Sequence, residues 1–313
     1  MQMSNQTKIA VLLSTYNGER FLGEQLNSLL AQSYSNFILV VRDDGSSDGT
    51  VAILEGYALA NPGQIHLLPR DDENKGASGG FAFLIDYVLQ NKTAIGLESA
   101  YMMFCDQDDT WFPDKIEKQV AAMIDAEADG DSAQAVLVHS DLEVVSEQNT
   151  VIAKSLIRYQ GLEIERNSFE NLVISNLVTG CTALINEALA AKALPIAANA
   201  IMHDWWLGLI AAAFGRIVYM DMPLVHYRQH GNNTIGAKEF TKVSAVNMSL
   251  WRRILTRKPN DHLVEVAIQA AEFRRCYGAQ LSARQRLSLR LCSGMGIKIG
   301  IVQRLMYRLA RRF

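Results

Sequence analysis

Residues 104–115 read Phe-Cys-Asp-Gln-Asp-Asp-Thr-Trp-Phe-Pro-Asp-Lys. Three carboxylates, Asp106, Asp108 and Asp109, fall within four positions, directly after the apolar run Tyr101-Met102-Met103-Phe104. A short, aromatic-rich apolar run reads as a buried strand. Pro113 then breaks the chain ahead of a helical pattern. Carboxylates crowded at the C-terminal end of a strand repel one another unless positive charge sits between them. A hard divalent cation carrying phosphate oxygens meets that need. In an open α/β sheet, ligands also bind at this end of the strands. The segment therefore points to a metal–diphosphate site on an α/β sheet, with a solvated acidic turn at a helix start as the alternative.

The rest of the N-terminal half has the same rhythm. Residues 8–14 form an apolar strand that ends in Ser14-Thr15-Tyr16-Asn17-Gly18. Residues 19–32 have helical periodicity, with Phe21, Leu22, Leu26, Leu29 and Leu30 on one face. A β-branched strand at 37–41 runs into Arg42-Asp43-Asp44-Gly45-Ser46-Ser47-Asp48-Gly49-Thr50. A helix at 50–60, a short strand at 65–68, a glycine-rich loop at 71–80, a helix at 81–90 and the strand at 101–105 follow. Strands alternating with helices imply a βαβ succession and a mostly parallel sheet. Each polar cluster follows a strand, which places them all along one sheet edge, where a nucleotide would lie. No Gly-x-x-x-x-Gly-Lys-Ser/Thr loop and no Gly-x-Gly-x-x-Gly turn after the first strand is present, and no EF-hand spacing fits.

After position 133, strands at 135–139 and 177–185 are expected, the second with the small residues Gly180 and Cys181 in mid-run. His203-Asp204-Trp205-Trp206 opens the apolar helix 207–214, and a last strand at 217–220 precedes His226-Tyr227-Arg228-Gln229-His230. Residues 231–236 read as a flexible lid.

Charge is unevenly spread. The net charge is −3, yet residues 273–313 carry ten Arg/Lys and no Asp or Glu, leaving 20 basic against 33 acidic residues before them. Residues 281–313 mix aliphatic residues with regularly placed arginines. That pattern suits a pair of basic amphipathic helices lying on an anionic membrane surface. Aliphatic apolar residues and the lack of a nucleic-acid motif speak against nucleic acid as partner. Cys105, Cys181, Cys276 and Cys292 form no Cys-x-x-Cys pair, which indicates a reducing compartment. The N-terminus does not read as a signal peptide, and no apolar stretch approaches the roughly 20 residues that span a bilayer. A cytoplasmic protein, peripheral on the inner face of the membrane, is expected.

Taken in order, Ser14-Thr15-Tyr16-Asn17-Gly18, the Asp43–Thr50 segment and Asp106-Gln107-Asp108-Asp109 resemble the family 2 glycosyltransferases with the GT-A fold, over roughly residues 7–235. Val178-Thr179-Gly180-Cys181-Thr182, His203-Asp204-Trp205-Trp206 and Tyr227-Arg228-Gln229-His230-Gly231-Asn232-Asn233 are similar to bacterial rhamnosyltransferases of surface-polysaccharide (O-antigen) assembly. The resemblance implies a GT-A domain over 1–236, with a nucleotide-sugar half at 7–115 and an acceptor half at 133–236. A basic helical region would follow at 237–313. It implies that Ser14 and Tyr16 line the base pocket and that Asp44, with Asp43 beside it, accepts from the base. Asp106 would meet the ribose or the metal shell. Asp108 would be the main ligand of Mg²⁺ or Mn²⁺, with Asp109 ligating or orienting. His230, favoured narrowly over His226, would complete the metal site. Lys75 in the glycine loop and Arg228 would face donor phosphate.

In the family an acidic pair carries the catalytic base in its second position. Here His203 replaces the first acid and Asp204 keeps the second. Asp204 would therefore be the base, with Gly180, Cys181, His203 and Trp205 around the acceptor. No residue stands out as a nucleophile for a two-step route, so one inverting displacement is expected. The implied donor is dTDP-L-rhamnose and the implied acceptor a glycan on a polyprenyl diphosphate. The alternatives are a UDP-sugar donor, a metal-dependent nucleotidyltransferase and a non-catalytic membrane scaffold. The second would carry a basic glycine-rich loop after the first strand, and the third would not keep Asp44, Asp106, Asp108 and Asp204 together.

Overall fold

The computed structural model describes residues 7–70, 73–128, 134–231, 260–297 and 299–312. Nine strands among them form one sheet in the order β3-β2-β1-β4-β8-β6-β9-β5, with β7 paired to β6. β1 (Ile9–Thr15), β2 (Phe37–Asp43), β3 (Ile65–Leu67) and β4 (Met102–Cys105) run parallel to their neighbours in this group. They are connected by α1 (Leu22–Leu30), α2 (Thr50–Ala60) and α3 (Gly76–Asn91). β1 is apolar along nearly its whole length because both faces are covered. Ala10 and Leu12 enter the core shared with α3, while Ile9, Val11 and Leu13 enter the core under α1.

β5 (Thr110–Trp111) and α4 (Lys115–Ala128) follow the acidic loop. In the second half, β6 (Ala135–Ser146) pairs antiparallel with β7 (Val151–Ala153) and β8 (Ala183–Ile185), and parallel with β9 (Gly215–Gln229). β8 closes antiparallel on β4 and so joins the two halves. α5 (Leu156–Gln160), α6 (Phe169–Leu172), α7 (Glu187–Ala193) and α8 (His203–Phe214) complete this half. The architecture is the α/β layering expected: a curled, mostly parallel Rossmann-like sheet flanked by helices.

Four local expectations are corrected. The glycine loop ends at Lys75, because Gly76–Gly80 already belong to α3, whose first N–H groups bond the Asp44 carboxylate. The strand expected over 177–185 is only β8. Gly180–Thr182 is a 3₁₀ turn, since the Gly180 N–H donates to Asp204 rather than to a neighbouring strand. α8 starts four residues earlier than expected, at His203, which puts Asp204 in its first turn. His226–Gln229 do not follow the last strand. They are its end, because register shifts around Asp141 carry the β6–β9 pairing past Pro223. The expected lid at 231–236 lies, beyond Gly231, outside the described residues.

The C-terminal helices are α9 (Asp261–Tyr277), α10 (Ala283–Ser293) and α11 (Gly300–Ala310). α9 does not stand apart: Phe273 meets Trp206 of α8 edge-on, with ring centroids 5.2 Å apart, and both are buried in one core.

Candidate active site

β1, β2 and β4 end level with one another, with Thr15 paired to Asp43 and Leu13 to Cys105. The polar turns after these strands therefore meet, and side chains knit them together. Asn17 accepts from the Ser47 N–H at 2.9 Å, and the Gly18 N–H donates to Thr50 at 2.8 Å. Asn17 has φ +48, a left-handed backbone that Asn tolerates better than most residues. Gln107, the middle residue of Asp106-Gln107-Asp108, clamps the backbone of Tyr16. Its Oε1 accepts from the Tyr16 N–H at 2.8 Å and its Nε2 donates to the Tyr16 carbonyl at 3.0 Å. A Cβ on Gly18 would stand 2.3 Å from that Oε1, so glycine is what lets the two turns close.

Above these turns and beside the second half of the chain opens a cavity of about 780 Å³. Ser14, Tyr16, Asp44, Asp106, Asp108 and Asp204 line it, and so do Gly180, His203 and Trp205. The structure thus gathers nine of the expected site residues from five separate segments. Tyr16 stands at the rim, half exposed (50%). Asp44 receives the N–H groups of Lys75 (3.0 Å) and Gly76 (2.7 Å) and the guanidinium of buried Arg42. A carboxylate offers about four lone-pair sites, so one direction is left for a ligand donor.

Five expected residues do not line the cavity. Asp43 is consumed by its own turn, accepting from Thr15, the Gly45 and Ser46 N–H groups and the Ser46 hydroxyl. Lys75 pairs with Glu73. Cys181 is fully buried behind the acidic loop. Arg228, 1% exposed, donates to Glu24 (2.6 Å) and to the carbonyls of Asp108 and Glu147, both at 2.9 Å. It braces the acidic loop from behind, outside the cavity lining where donor phosphate was expected to meet it. His230 also lies outside the lining, but its Nε2 is 2.8 Å from Asp108 Oδ2. His226, the other histidine considered, stacks on Phe112 and faces Glu143 at 3.3 Å.

The acidic loop carries unrelieved charge. Asp106 is pushed up to about 7, by burial first and then by Asp108 and Asp204. Asp109, wholly buried, is raised by burial first and then by Asp108 and Asp106; one of its oxygens accepts from the Arg228 N–H at 3.0 Å and the other has no partner. Asp106, Asp109 and Cys181 present ligand atoms within 4.8 Å of one another. Among the described residues, the cavity lining contains no Lys or Arg. Asp44 is matched by Arg42, but buried Asp106 and Asp109 with Asp108 beside them crowd carboxylates at one end of the cavity, a donor set that fits a divalent cation.

At the other end of the cavity, Asp204 Oδ2 accepts from the Gly180 N–H at 2.9 Å, and Oδ1 accepts from Asn176 at 3.1 Å and the Trp205 N–H at 2.5 Å. Burial nevertheless lifts its carboxyl to about 6. His203 is 2% exposed, packed against the rings of Phe81 (4.4 Å) and Phe104 (5.2 Å), and neither ring nitrogen has a partner. Burial holds it down to about 3, so it is neutral at physiological pH. A Cβ on Gly180 would lie 3.0 Å from His203 Nε2 and 3.6 Å from Asp204 Oδ2, so glycine keeps that space open.

Three contributors were not anticipated from sequence. Gln107 sits inside the acidic motif and could have been suspected from its position. Asn176, which orients Asp204, and His262 of α9, which reaches the cavity beside Trp205 (ring centroids 6.0 Å apart), carried no local signal.

Residues 10–191 match glycosyl transferase family 2. The dTDP-rhamnosyl transferase RfbG of Shigella flexneri is 28% identical over 255 residues, covering 79% of this chain and 81% of that protein. S. aureus TarS 1–349 in complex with UDP-GlcNAc has a similar fold (TM-score 0.54, 16% identity, 98% of this chain and 88% of that one). So does the mannosyltransferase PcManGT from Pyrobaculum calidifontis in complex with GDP-Man and Mn²⁺ (TM-score 0.55, 14% identity, 99% and 77%). The chain belongs to glycosyl transferase family 2.

Proposed function

We propose that this family 2 glycosyltransferase moves L-rhamnose from dTDP-L-rhamnose to a hydroxyl of a growing surface glycan held on a polyprenyl diphosphate, with inversion at the anomeric carbon. The observation that carries the reading is the meeting in one cavity of Asp106 and Asp108 with a desolvated Asp204. The 28% identical rhamnosyl transferase supports the choice of donor sugar, and the basic C-terminal region supports a lipid-held acceptor.

In this reading Tyr16 stacks on the pyrimidine at the rim, and Asp44 and Ser14 hold its edge. Asp106, Asp108 and His230 would hold Mg²⁺ or Mn²⁺, which when bound supplies positive charge to the diphosphate and to the departing nucleoside diphosphate. Arg228 keeps the loop of Asp108 in place. Asn176 and the Gly180 N–H fix the Asp204 carboxylate. His203 offers its two unpartnered nitrogens to ring hydroxyls. Asp204 takes the proton of the acceptor hydroxyl. That oxygen bonds to the anomeric carbon as the carbon–phosphate oxygen bond breaks, and the bonding pair leaves with the diphosphate.

The test is nucleoside diphosphate release by the purified protein with Mg²⁺, Mn²⁺ or EDTA, offering dTDP-L-rhamnose beside UDP- and GDP-sugars. Metal-dependent turnover of dTDP-L-rhamnose, lost in Asp108→Ala, is expected. Turnover confined to a UDP-sugar would keep the mechanism and overturn the donor assignment.

A further inference from the structure

The final helix, α11, has two unlike sides. One is fastened to the protein. Gln303, buried, accepts from the Asn260 N–H at 2.8 Å and donates to the carbonyls of Asn260 and Met295, both at 3.1 Å, and Ala310 is buried beside it. The other side presents Ile301, Leu305 and Leu309, spaced i, i+4 and i+8 as one stripe, at 45%, 52% and 36% exposure. Ile297 and Ile299, just before the helix, are exposed as well. Arg308 and Arg312 are exposed on the same side as the stripe. Residues 281–313 carry eight Arg/Lys and no acidic residue.

The helix pair expected to lie on a membrane thus narrows to one helix and its leading segment. α10 turns Leu289 and Cys292 into the core instead. Five exposed aliphatic residues within thirteen positions are a patch that calls for a cover. A protein partner's interface core favours aromatic residues. The apolar residues of this face are all aliphatic and have arginines among them, whose long stems can lie along the apolar layer while their heads reach lipid phosphates.

The position of the helix adds a second argument. Asn260, to which Gln303 is bound, caps α9, and His262 two residues later lines the acceptor end of the cavity. We propose that the outward face of α11, with Ile297 and Ile299, lies in the interfacial layer of an anionic bilayer and sets the His262 end of the cavity beside it. The inference rests on the lipid-held acceptor of the preceding section for its purpose, but not for its test.

The test is co-sedimentation of the full chain with vesicles of phosphatidylcholine alone or mixed with phosphatidylglycerol. Binding to the anionic vesicles, weakening with salt, is expected. Ile301→Asp with Leu305→Asp should lower it at least about tenfold, and Arg308→Glu with Arg312→Glu should remove most of its salt dependence. Both side-chain pairs face outward, so unchanged circular dichroism and unchanged donor turnover are expected. Equal sedimentation of wild type and the aspartate variant would overturn the proposal. So would a wild type that ignores vesicles but forms a dimer that the aspartate variant lacks. Donor turnover is measured without lipid, so failure of the glycosyltransferase reading appears there and failure of this inference appears only with vesicles.

Discussion

Asp204 faces two opposing influences. Burial between α8 and the 3₁₀ turn favours its neutral form, while three hydrogen-bond donors favour its anion. Burial wins, and its carboxyl is lifted to about 6. In its proposed role as base Asp204 must be ionised to act, so with the folded pKa near 6 the rate should be flat above that pH. It should fall about tenfold per unit below it. His203 stays neutral across this range and adds no limb of its own. Asp204→Asn should keep dTDP binding, measured by calorimetry, and lower kcat by about 10²–10⁴. An unchanged kcat would remove Asp204 from the proton transfer. At this scale the residue types were legible in sequence, because an acidic cluster after an apolar strand and a histidine–aspartate pair opening an apolar helix are uncommon company. Their partners were not. Nothing local marks Asn176 as the group that orients Asp204, or Arg228 as a buried brace.

Elements succeed or fail at close approaches. Gly215 opens β9 directly opposite Ala135 of β6. A Cβ there would lie 1.8 Å from the Ala135 carbonyl oxygen, and backbone cannot yield as a side-chain tip can. Gly215→Ala should therefore cost about 2–3 kcal/mol, read as a lower urea midpoint with an unchanged slope; an unchanged midpoint would show that the strand ends can part there. The same reasoning explains which element boundaries were readable. β1, β2 and α2 follow from local apolar pattern, and their expected bounds nearly match those observed. The early start of α3, the 3₁₀ turn at Gly180–Thr182 and the extension of β9 were set by distant partners: Asp44, Asp204 and β6. A local pattern holds no information about a hydrogen bond made over 24 to 32 positions.

For the whole molecule, the C-terminal region is part of the fold. Trp206 is covered by Phe273 and Tyr277 of α9, and the Tyr277 hydroxyl donates to the Lys192 carbonyl at 2.8 Å. A fragment of residues 1–236 would expose that indole and the apolar face of α8. We expect it to melt at lower temperature than the full chain or to aggregate, as followed by light scattering during heating. An equal melting temperature would make the region beyond 236 an independent appendage.

What the sequence by itself determined is the fold class and the family. Apolar strands ending in Ser-Thr-Tyr-Asn-Gly, Asp-Asp-Gly and Asp-Gln-Asp-Asp dictate a parallel α/β sheet with acidic groups along one edge. The reason is that strand periodicity and the cost of crowded carboxylates are local properties. Tertiary structure alone decided which of those groups face a common cavity, since Asp106, Asp108 and Asp204 do and Asp43, Arg228 and Cys181 do not. It also decided that one histidine rather than another stands against Asp108, and that α11 rather than α10 keeps an apolar face outside. These outcomes depend on how strands register and helices pack over long sequence separations, where burial and hydrogen bonding are settled by the whole chain.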